Sequence, residues 1–222
     1  MPYREDIPGH MYGRDFKAIE ALAACVSPHG TVVEVGAYYG RSAWAWAKSV
    51  PSSATVYCID SWEGNKDDPL PQMDRSASLD EFKEYVKDCS NIIPIQGYSP
   101  TMTWDKNLRP DLVFIDGNHL KPHVDNDLAF WSKQLNPHGI LCGHDFNPSK
   151  WPDVCAAVIQ LAKSIKKPFR LFEDNTIWYF ELEREEFKVE NREVLMSRLL
   201  LEEISWQPTP NNILQIQSMF QM

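Results

Sequence analysis

Acidic and histidine side chains follow several of the apolar, β-branched runs of this 222-residue sequence. Glu34 lies near the end of the first run, Asp60 ends the second, and Asp116 and His144–Asp145 follow two later ones. Carboxylates accept hydrogen bonds from hydroxyl and amino groups, and together with imidazole they can bind a divalent cation. His119 stands three residues after Asp116 and could accept a proton from a substrate. These residue types therefore predict ligand binding and proton transfer.

The spacing of apolar residues predicts strands that alternate with helices. Strand-like runs cover residues 31–35, 54–59, 91–96, 111–115 and 140–143. Such alternation implies right-handed crossovers and a parallel sheet that is covered on both faces. The carboxyl ends of parallel strands meet at one edge, where these folds bind ligands. We therefore expect the four acidic strand ends to converge there, compensated by a ligand or a cation.

The predicted fold is α/β, with a Rossmann-like, doubly wound and mostly parallel seven-stranded sheet. A hairpin formed by Phe169–Phe172 and Thr176–Leu182 adds a C-terminal antiparallel strand. We expect residues 1–183 to form this domain and residues 184–222 to form a C-terminal helical extension and tail. The extension is highly charged but carries Leu199–Leu201, which favours a buried surface and suggests a homo-oligomer.

Charge and composition narrow the classes of partner. The net charge of −9 and the pI near 5.1 argue against a nucleic-acid backbone. No apolar run approaches the roughly 20 residues that span a bilayer, and the N-terminus lacks the apolar core of a signal peptide. The five cysteines are odd in number and contain no Cys-x-x-Cys pair. We expect a cytoplasmic protein with reduced thiols and a small-molecule partner.

A glycine turn after the first strand predicts where a nucleotide-like ligand binds. Gly36 turns the chain, and by Gly40 the pattern has become helical. A dinucleotide fingerprint needs a second glycine where this chain has Tyr38, so NAD or FAD is disfavoured.

Four ordered motifs carry a resemblance to a known family. They are VVEVGxxxGxS at 32–42, YCIDSW at 57–62, DLVFIDGNH at 111–119 and LxPxGILxGHDF at 135–146. Together they resemble class I S-adenosylmethionine (SAM)-dependent methyltransferases. The branch that they resemble contains macrolide-sugar O-methyltransferases and cephalosporin-hydroxylase-like proteins. The resemblance covers roughly residues 14–183 and implies methyl transfer, most simply O-methylation of a small hydroxylated acceptor such as a sugar or natural-product intermediate.

The resemblance also assigns cofactor-binding residues. It implies that Asp60 binds both ribose hydroxyls and that Tyr38 contacts the cofactor in place of the usual glycine. The full set implied for SAM is Glu34, Gly36, Tyr38, Gly40, Ser42, Asp60, Ser61, Trp62, Gly97, Tyr98, Ser99 and Asp116.

The chemistry is expected at His119, Asp116 and Asp145. Related sugar methyltransferases use a histidine near this position as base, but His119 could instead cap or pack against the helix that follows. Asp116, His144 and Asp145 could bind Mg²⁺, or a softer metal because of the histidine, while a plain turn-capping role for Asp145 is the alternative. The loop 63–77 and the arm at Met11–Tyr12 are candidate lids.

Two other functions stay open at this point. One is a non-catalytic module that binds SAM or a related nucleoside, and the other is an NAD-linked oxidoreductase.

Overall fold

The computed structural model describes residues 3–64, 77–102, 104–105, 107–172 and 175–181. Within these residues the strands are β1 (Thr31–Val35), β2 (Thr55–Asp60), β3 (Ile92–Gln96), β4 (Leu112–Ile115), β5 (Ile140–Gly143), β6 (Arg170–Leu171) and β7 (Trp178–Glu181). The helices are α1 (Gly13–Ala23), α2 (Arg41–Ser49), α3 (Leu79–Tyr85), α4 (His123–Gln134) and α5 (Pro152–Ile165).

The seven strands form one sheet in the order β3-β2-β1-β4-β5-β7-β6. All neighbouring pairs from β3 to β5 are parallel, and β7 runs antiparallel to both β5 and β6. The chain order places β1 and β4 side by side at the centre, so the direction of winding reverses between them. The predicted Rossmann-like fold, with its C-terminal antiparallel strand, is confirmed.

Two hydrophobic cores cover the two faces of the sheet. Alternation along β1 sends Val32 to the face under α1, α2 and α3, and sends Val33 and Val35 to the face under α4 and α5. Trp46 of α2 packs edge-on against Phe114 on the first face, and Trp131 of α4 is fully buried on the second. The ends of the central strands are thereby held between two packed layers.

The start of α3 is stabilised by a capping box. The hydroxyl of Ser78 accepts the backbone N–H of Glu81, and the carboxylate of Glu81 accepts the backbone N–H of Ser78. Two N–H groups that the helix itself leaves unpaired are thus satisfied.

Gly36 allows the ends of β1 and β4 to approach each other closely. Its φ is +87°, and a Cβ atom at this position would lie 2.2 Å from the carbonyl oxygen of Asp116. Any side chain would collide with backbone that cannot move aside. The first glycine of the turn is therefore required by the sheet geometry itself.

The N-terminal arm, residues 3–12, contains no helix or strand but is firmly packed. Ile7 and Met11 are buried. The guanidinium of Arg41 donates hydrogen bonds to the carbonyl oxygens of Glu5, Ile7 and Met11 at 2.6–3.0 Å. The side chain at the start of α2 thus fastens the arm across the end of the sheet.

Several sequence predictions fall outside the described residues: the C-terminal helix, the tail and most of the loop 63–77. All five cysteines are free. None of the described helices has both the length and the apolar character to cross a bilayer.

Candidate active site

A cavity of about 610 Å³ opens at the carboxyl edge of the sheet. Its wall is built from the N-terminal arm and from the turns that follow β1, β2, β3, β4 and β5. This volume suits a ligand of the size of a nucleoside with an attached side chain. The predicted convergence of strand ends therefore produces a concave site that is open on one side.

Asp60 is held at one part of the cavity by two backbone N–H groups. Oδ2 accepts a hydrogen bond from Tyr38 N at 2.9 Å, and Oδ1 accepts one from Trp62 N at 2.8 Å. Each oxygen keeps a second lone pair. The carboxylate is thus fixed in orientation and can accept two further hydrogen bonds, as a pair of ribose hydroxyls would require.

Trp62, which the resemblance implies as a cofactor contact, lines the cavity and is mostly buried behind its wall. Its ring is 7% exposed and tilts against Phe82 at 5.0 Å, and its indole N–H donates to the carbonyl of Tyr38 at 2.9 Å. Most of the ring therefore braces the turn that carries Tyr38 and Asp60. Contact between the remaining edge and a base stays a prediction.

The turn after β3 supplies the adjoining wall. Gly97, Tyr98 and Ser99 all line the cavity, as does Ser61. Tyr98 is 52% exposed, and its hydroxyl donates to Glu63 at 2.9 Å.

Glu34 and Gly40 lie behind the cavity wall rather than on it. Glu34 shares the strand face of Val32, is fully buried, and is hydrogen-bonded to Ser42 and Cys58. Gly40 begins α2 with a φ of +94°, and a Cβ there would lie 2.6 Å from Val86. Ser42, by contrast, lines the cavity. Glu34 reaches the site through Ser42, and direct contact between Glu34 and a ligand remains a prediction.

His119 and two carboxylates meet at another part of the cavity. Nε2 of His119 lies 2.8 Å from Oδ2 of Asp145 and 3.6 Å from Oδ1 of Asp116. The imidazole stacks on the indole of Trp151, with 4.2 Å between the ring centroids. The predicted catalytic residues are therefore brought together, with the ring plane of His119 fixed by stacking.

His144 completes this cluster and connects it to α1. Nδ1 of His144 lies 3.4 Å from Asp145 and 3.8 Å from Asp116, while Nε2 lies 3.6 Å from Oδ1 of Asp15. Asp116, His144 and Asp145 each offer one potential ligand atom, and these three atoms lie within 4.8 Å of one another. At that spacing all three could bind the same cation. Two carboxylates and one imidazole fit a divalent metal of intermediate hardness better than they fit Mg²⁺ alone.

The charges in the cluster shift one another's protonation. Burial lowers the pKa of an imidazole, but the carboxylates of Asp116 and Asp145 outweigh it and raise the pKa of His119 to about 9. Likewise, Asp145 and Asp15 outweigh burial and raise the pKa of His144 to about 10. Burial would raise the pKa of Asp145, yet the two imidazoles hold it well below its usual range. Without a metal, the cluster is a network of paired charges.

Sequence reasoning missed several polar residues of this site, among them Asp15, Arg41 and Asp127. Asp127 lines the cavity although it stands on α4 among Val124, Leu128 and Trp131. A carboxylate within an apolar helical stripe was the available signal. Asp15 and Arg41 gave no such signal in the sequence, because the groups that they contact belong to distant segments of the chain.

Known proteins resemble this chain in sequence and in fold. The sequence model of a family described as methyltransferase domain matches residues 33–146. No curated protein sequence matches the chain. The fold resembles that of the O-methyltransferase NovP, with 16% identity, a TM-score of 0.61, and coverage of 77% of this chain and 80% of that chain. It also resembles the calicheamicin methyltransferase CalS11, with 16% identity, a TM-score of 0.58, and coverage of 77% and 78%.

A third similar structure contains the cofactor. It is the O-methyltransferase TomG from Streptomyces achromogenes, involved in tomaymycin synthesis and solved in complex with SAM, with 13% identity, a TM-score of 0.54, and coverage of 81% of this chain and 83% of that chain. The family match spans the glycine turn, Asp60 and the cluster around Asp116. The chain therefore belongs to the methyltransferase domain family and has the fold of the class I SAM-dependent enzymes.

Proposed function

We propose that this protein transfers the methyl group of SAM to a hydroxyl group of a small, polar acceptor, such as a sugar or a natural-product intermediate. One observation carries the proposal. A single cavity holds both the oriented carboxylate of Asp60 and, at another part of its wall, the cluster of Asp116, His119, His144 and Asp145. The first suits a ribose, and the second suits a hydroxyl group that must lose a proton.

The chain offers a matching set of contacts for the cofactor. Asp60 accepts the ribose hydroxyls, Ser42 and the backbone beyond Gly36 face the methionine portion, and residues 97–99 adjoin the base. When bound, SAM supplies an electrophilic methyl group on a sulfonium centre. Because methyl transfer is an in-line displacement, these residues contribute mainly by fixing the alignment of the two reactants.

His119 removes the acceptor proton in this proposal. Nε2 lies 2.8 Å from Asp145 and 3.6 Å from Asp116, so an acceptor hydroxyl reaches the imidazole by taking the place of Asp145 beside Nε2. Both carboxylates then stabilise the imidazolium that forms, which is the interaction that raises the pKa of His119. Stacking on Trp151 holds the ring in place during the transfer.

Asp116, His144 and Asp145 would hold a divalent cation. Such an ion, when bound, polarises a hydroxyl oxygen and offsets the carboxylate charge that keeps His119 protonated. His119 would then be neutral at the pH at which it has to act as a base.

The acceptor is proposed to be small and polar because polar groups share the remaining cavity wall. The side chains of His10, His123 and Lys150 face this space beside those of Met11 and Trp151. The acidic chain, with a net charge of −9, does not suit a polyanionic acceptor.

The test combines binding with product detection. Calorimetry should show binding of S-adenosylhomocysteine, and a panel of sugars, nucleotide sugars and catechols with labelled SAM should yield methylated product in the presence of Mg²⁺ or Mn²⁺. His119→Gln should lower the turnover by about a hundredfold or more and leave the affinity for S-adenosylhomocysteine within about threefold, because a positioned base contributes about 10²–10⁴ to rate.

His138→Gln is the matched control, since His138 is exposed in the turn before β5, at the opposite edge of the sheet. It should leave turnover unchanged. Cofactor binding without product from any acceptor would favour a non-catalytic SAM-binding module, and tight NAD binding without SAM binding would contradict the proposal altogether.

A further inference from the structure

Asp127 presents a buried carboxylate oxygen to the cavity. The residue stands on the inner face of α4, is 4% exposed and lines the cavity wall. Its Oδ1 atom has no hydrogen-bond partner in the part of the chain that the structure describes. A buried carboxylate oxygen without a partner is unfavourable, so this atom is suited to a donor that arrives with a ligand.

The rest of the carboxylate is fixed by a relay of side chains. The indole N–H of Trp131 donates to Oγ of Ser99 at 2.9 Å, and Ser99 is hydrogen-bonded to Asp127. A hydroxyl group has one proton, and because its oxygen accepts from Trp131 that proton is free to point at Asp127. The relay orients the carboxylate and leaves Oδ1 as the atom available to a ligand.

Asp127 lies against the turn that the proposed function places beside the base. It lies between the turn that contains Ser99 and the turn that contains Gly117, where a Cβ would come within 3.7 Å of Oδ2. Because residue 117 is a glycine, no side chain stands between the carboxylate and the cavity. Asp60, the ribose-binding carboxylate of the proposed function, lines the same cavity, while the His119 cluster marks the methyl end.

Burial raises the pKa of Asp127 to about 7, partly offset by the bond to Ser99. Above that pH the carboxylate is an acceptor only and matches a ligand group that donates. SAM has three kinds of donor: the ammonium group of its methionine portion, the ribose hydroxyls and the exocyclic amino group of the purine. Asp127 is bonded to Ser99, in the turn that the proposed function places beside the base, so the exocyclic amino group is the donor within its reach.

We propose that Oδ1 of Asp127 accepts a hydrogen bond from the exocyclic amino group of the adenine ring and thereby selects a 6-amino purine over a 6-oxo purine. The inference rests on the proposed function for the identity of the ligand. A 6-oxo purine places an acceptor oxygen where the amino group would be, facing the carboxylate. The site would then reject that analogue, because both facing atoms are acceptors and neither can pair.

The experiment compares two ligands on each of three proteins at pH 8.5. Calorimetry measures the dissociation constants of S-adenosylhomocysteine and of its 6-oxo analogue, S-inosylhomocysteine. The wild-type chain should prefer the amino form by about thirtyfold or more. Asp127→Asn should prefer it by about threefold or less, because an amide can rotate to donate to the 6-oxo group.

Asp125→Asn is the control on the same helix, since Asp125 is half-exposed and pairs with Lys121. It should keep the wild-type preference. A ratio of two affinities measured on one preparation does not depend on the folded fraction, so partial unfolding of a variant cannot imitate the result.

Two outcomes would overturn the inference, and they are distinguishable. If the wild type binds S-adenosylhomocysteine and Asp127→Asn keeps the full preference for the amino form, the assignment of Asp127 is wrong while the proposed function stands. If the wild type binds neither ligand, both the proposed function and this inference fail.

Discussion

Glu34 shows how burial sets the protonation of a single side chain. The residue is fully buried on the face of β1 that packs under α2. Burial raises its pKa to about 8, with the bond to Ser42 opposing the shift and the charge of Asp116 adding to it. The native chain therefore keeps Glu34 protonated at neutral pH, whereas the unfolded chain ionises it near the ordinary value of 4.5.

This difference predicts a stability that falls as pH rises. The stabilisation is fully present below the unfolded pKa of 4.5 and is lost as pH rises to the folded value of about 8. Within that window the contribution of Glu34 falls by about 1.4 kcal/mol per pH unit. Glu34→Gln, which stays neutral, should flatten the profile and give a higher free energy of unfolding than the wild type at pH 8. Urea unfolding from pH 5 to 8 measures both.

Glu84→Gln is the appropriate control because Glu84 is an exposed carboxylate that pairs with Lys87. It should leave the slope of the profile as it is in the wild type. A wild-type slope that Glu34→Gln does not change would mean that Glu34 is ionised in the native protein.

The sequence identified some site residues far better than others. Asp60, Asp116 and Asp145 were predictable because each lies at or just after the end of a recognisable strand, and the fold sends all such positions to one edge. Asp127 was not predicted, since a helix periodicity describes which face is buried but not which buried residue meets a cavity. Glu34 was expected at the edge, and it lies one residue before the end of β1, fully buried and bonded to Ser42, which lines the cavity.

At the scale of elements, the N-terminal arm forms part of the cavity wall because α2 holds it there. Arg41 is 9% exposed and donates to three backbone carbonyls of the arm. Its guanidinium also lies 5.3 Å from the centroid of the Tyr12 ring. The sequence predicted an arm. It did not predict that Arg41 holds the arm, because the acceptors are backbone carbonyl groups, which every residue type has.

Removing the hydrogen bonds between Arg41 and the arm should weaken cofactor binding. Arg41→Met keeps the apolar stem and removes every donor, so we expect faster hydrogen exchange in residues 3–12 and an affinity for S-adenosylhomocysteine lower by about tenfold, which corresponds to about 1.4 kcal/mol. Exchange mass spectrometry and calorimetry measure the two effects.

Arg109→Met is a fair comparison because Arg109 also donates to a backbone carbonyl, that of Lys133, but is exposed and does not line the cavity. It should change neither quantity. An arm that stays protected in Arg41→Met would show that the burial of Ile7 and Met11 is sufficient to hold it.

At the scale of the whole molecule, the chemistry and the assembly are expected to reside in different parts of the chain. All residues proposed here to bind the cofactor or act on the acceptor precede residue 184. The leucines at 199–201 lie in the charged C-terminal extension and are proposed to pair two copies of the chain.

This division predicts that removing the extension changes the mass of the particle but not the site. A chain that ends at residue 183 should become monomeric by light scattering and should bind S-adenosylhomocysteine within about threefold of the full chain. Replacing Leu199 and Leu200 by serine in the full-length chain is a milder test of the same segment and should have the same effect on mass. A full-length chain that is already monomeric would contradict the pairing.

The close contact at Gly36 affects what a glycine at this position indicates in related sequences. The atom that excludes a side chain at this position is a carbonyl of the neighbouring strand end, not any part of a ligand. A glycine after the first strand therefore marks the close approach of two central strands, and a related chain would need it even after losing its cofactor. Evidence that such a chain still performs methyl transfer has to come from the positions of Asp60, Asp116 and His119, which can change without disturbing the sheet.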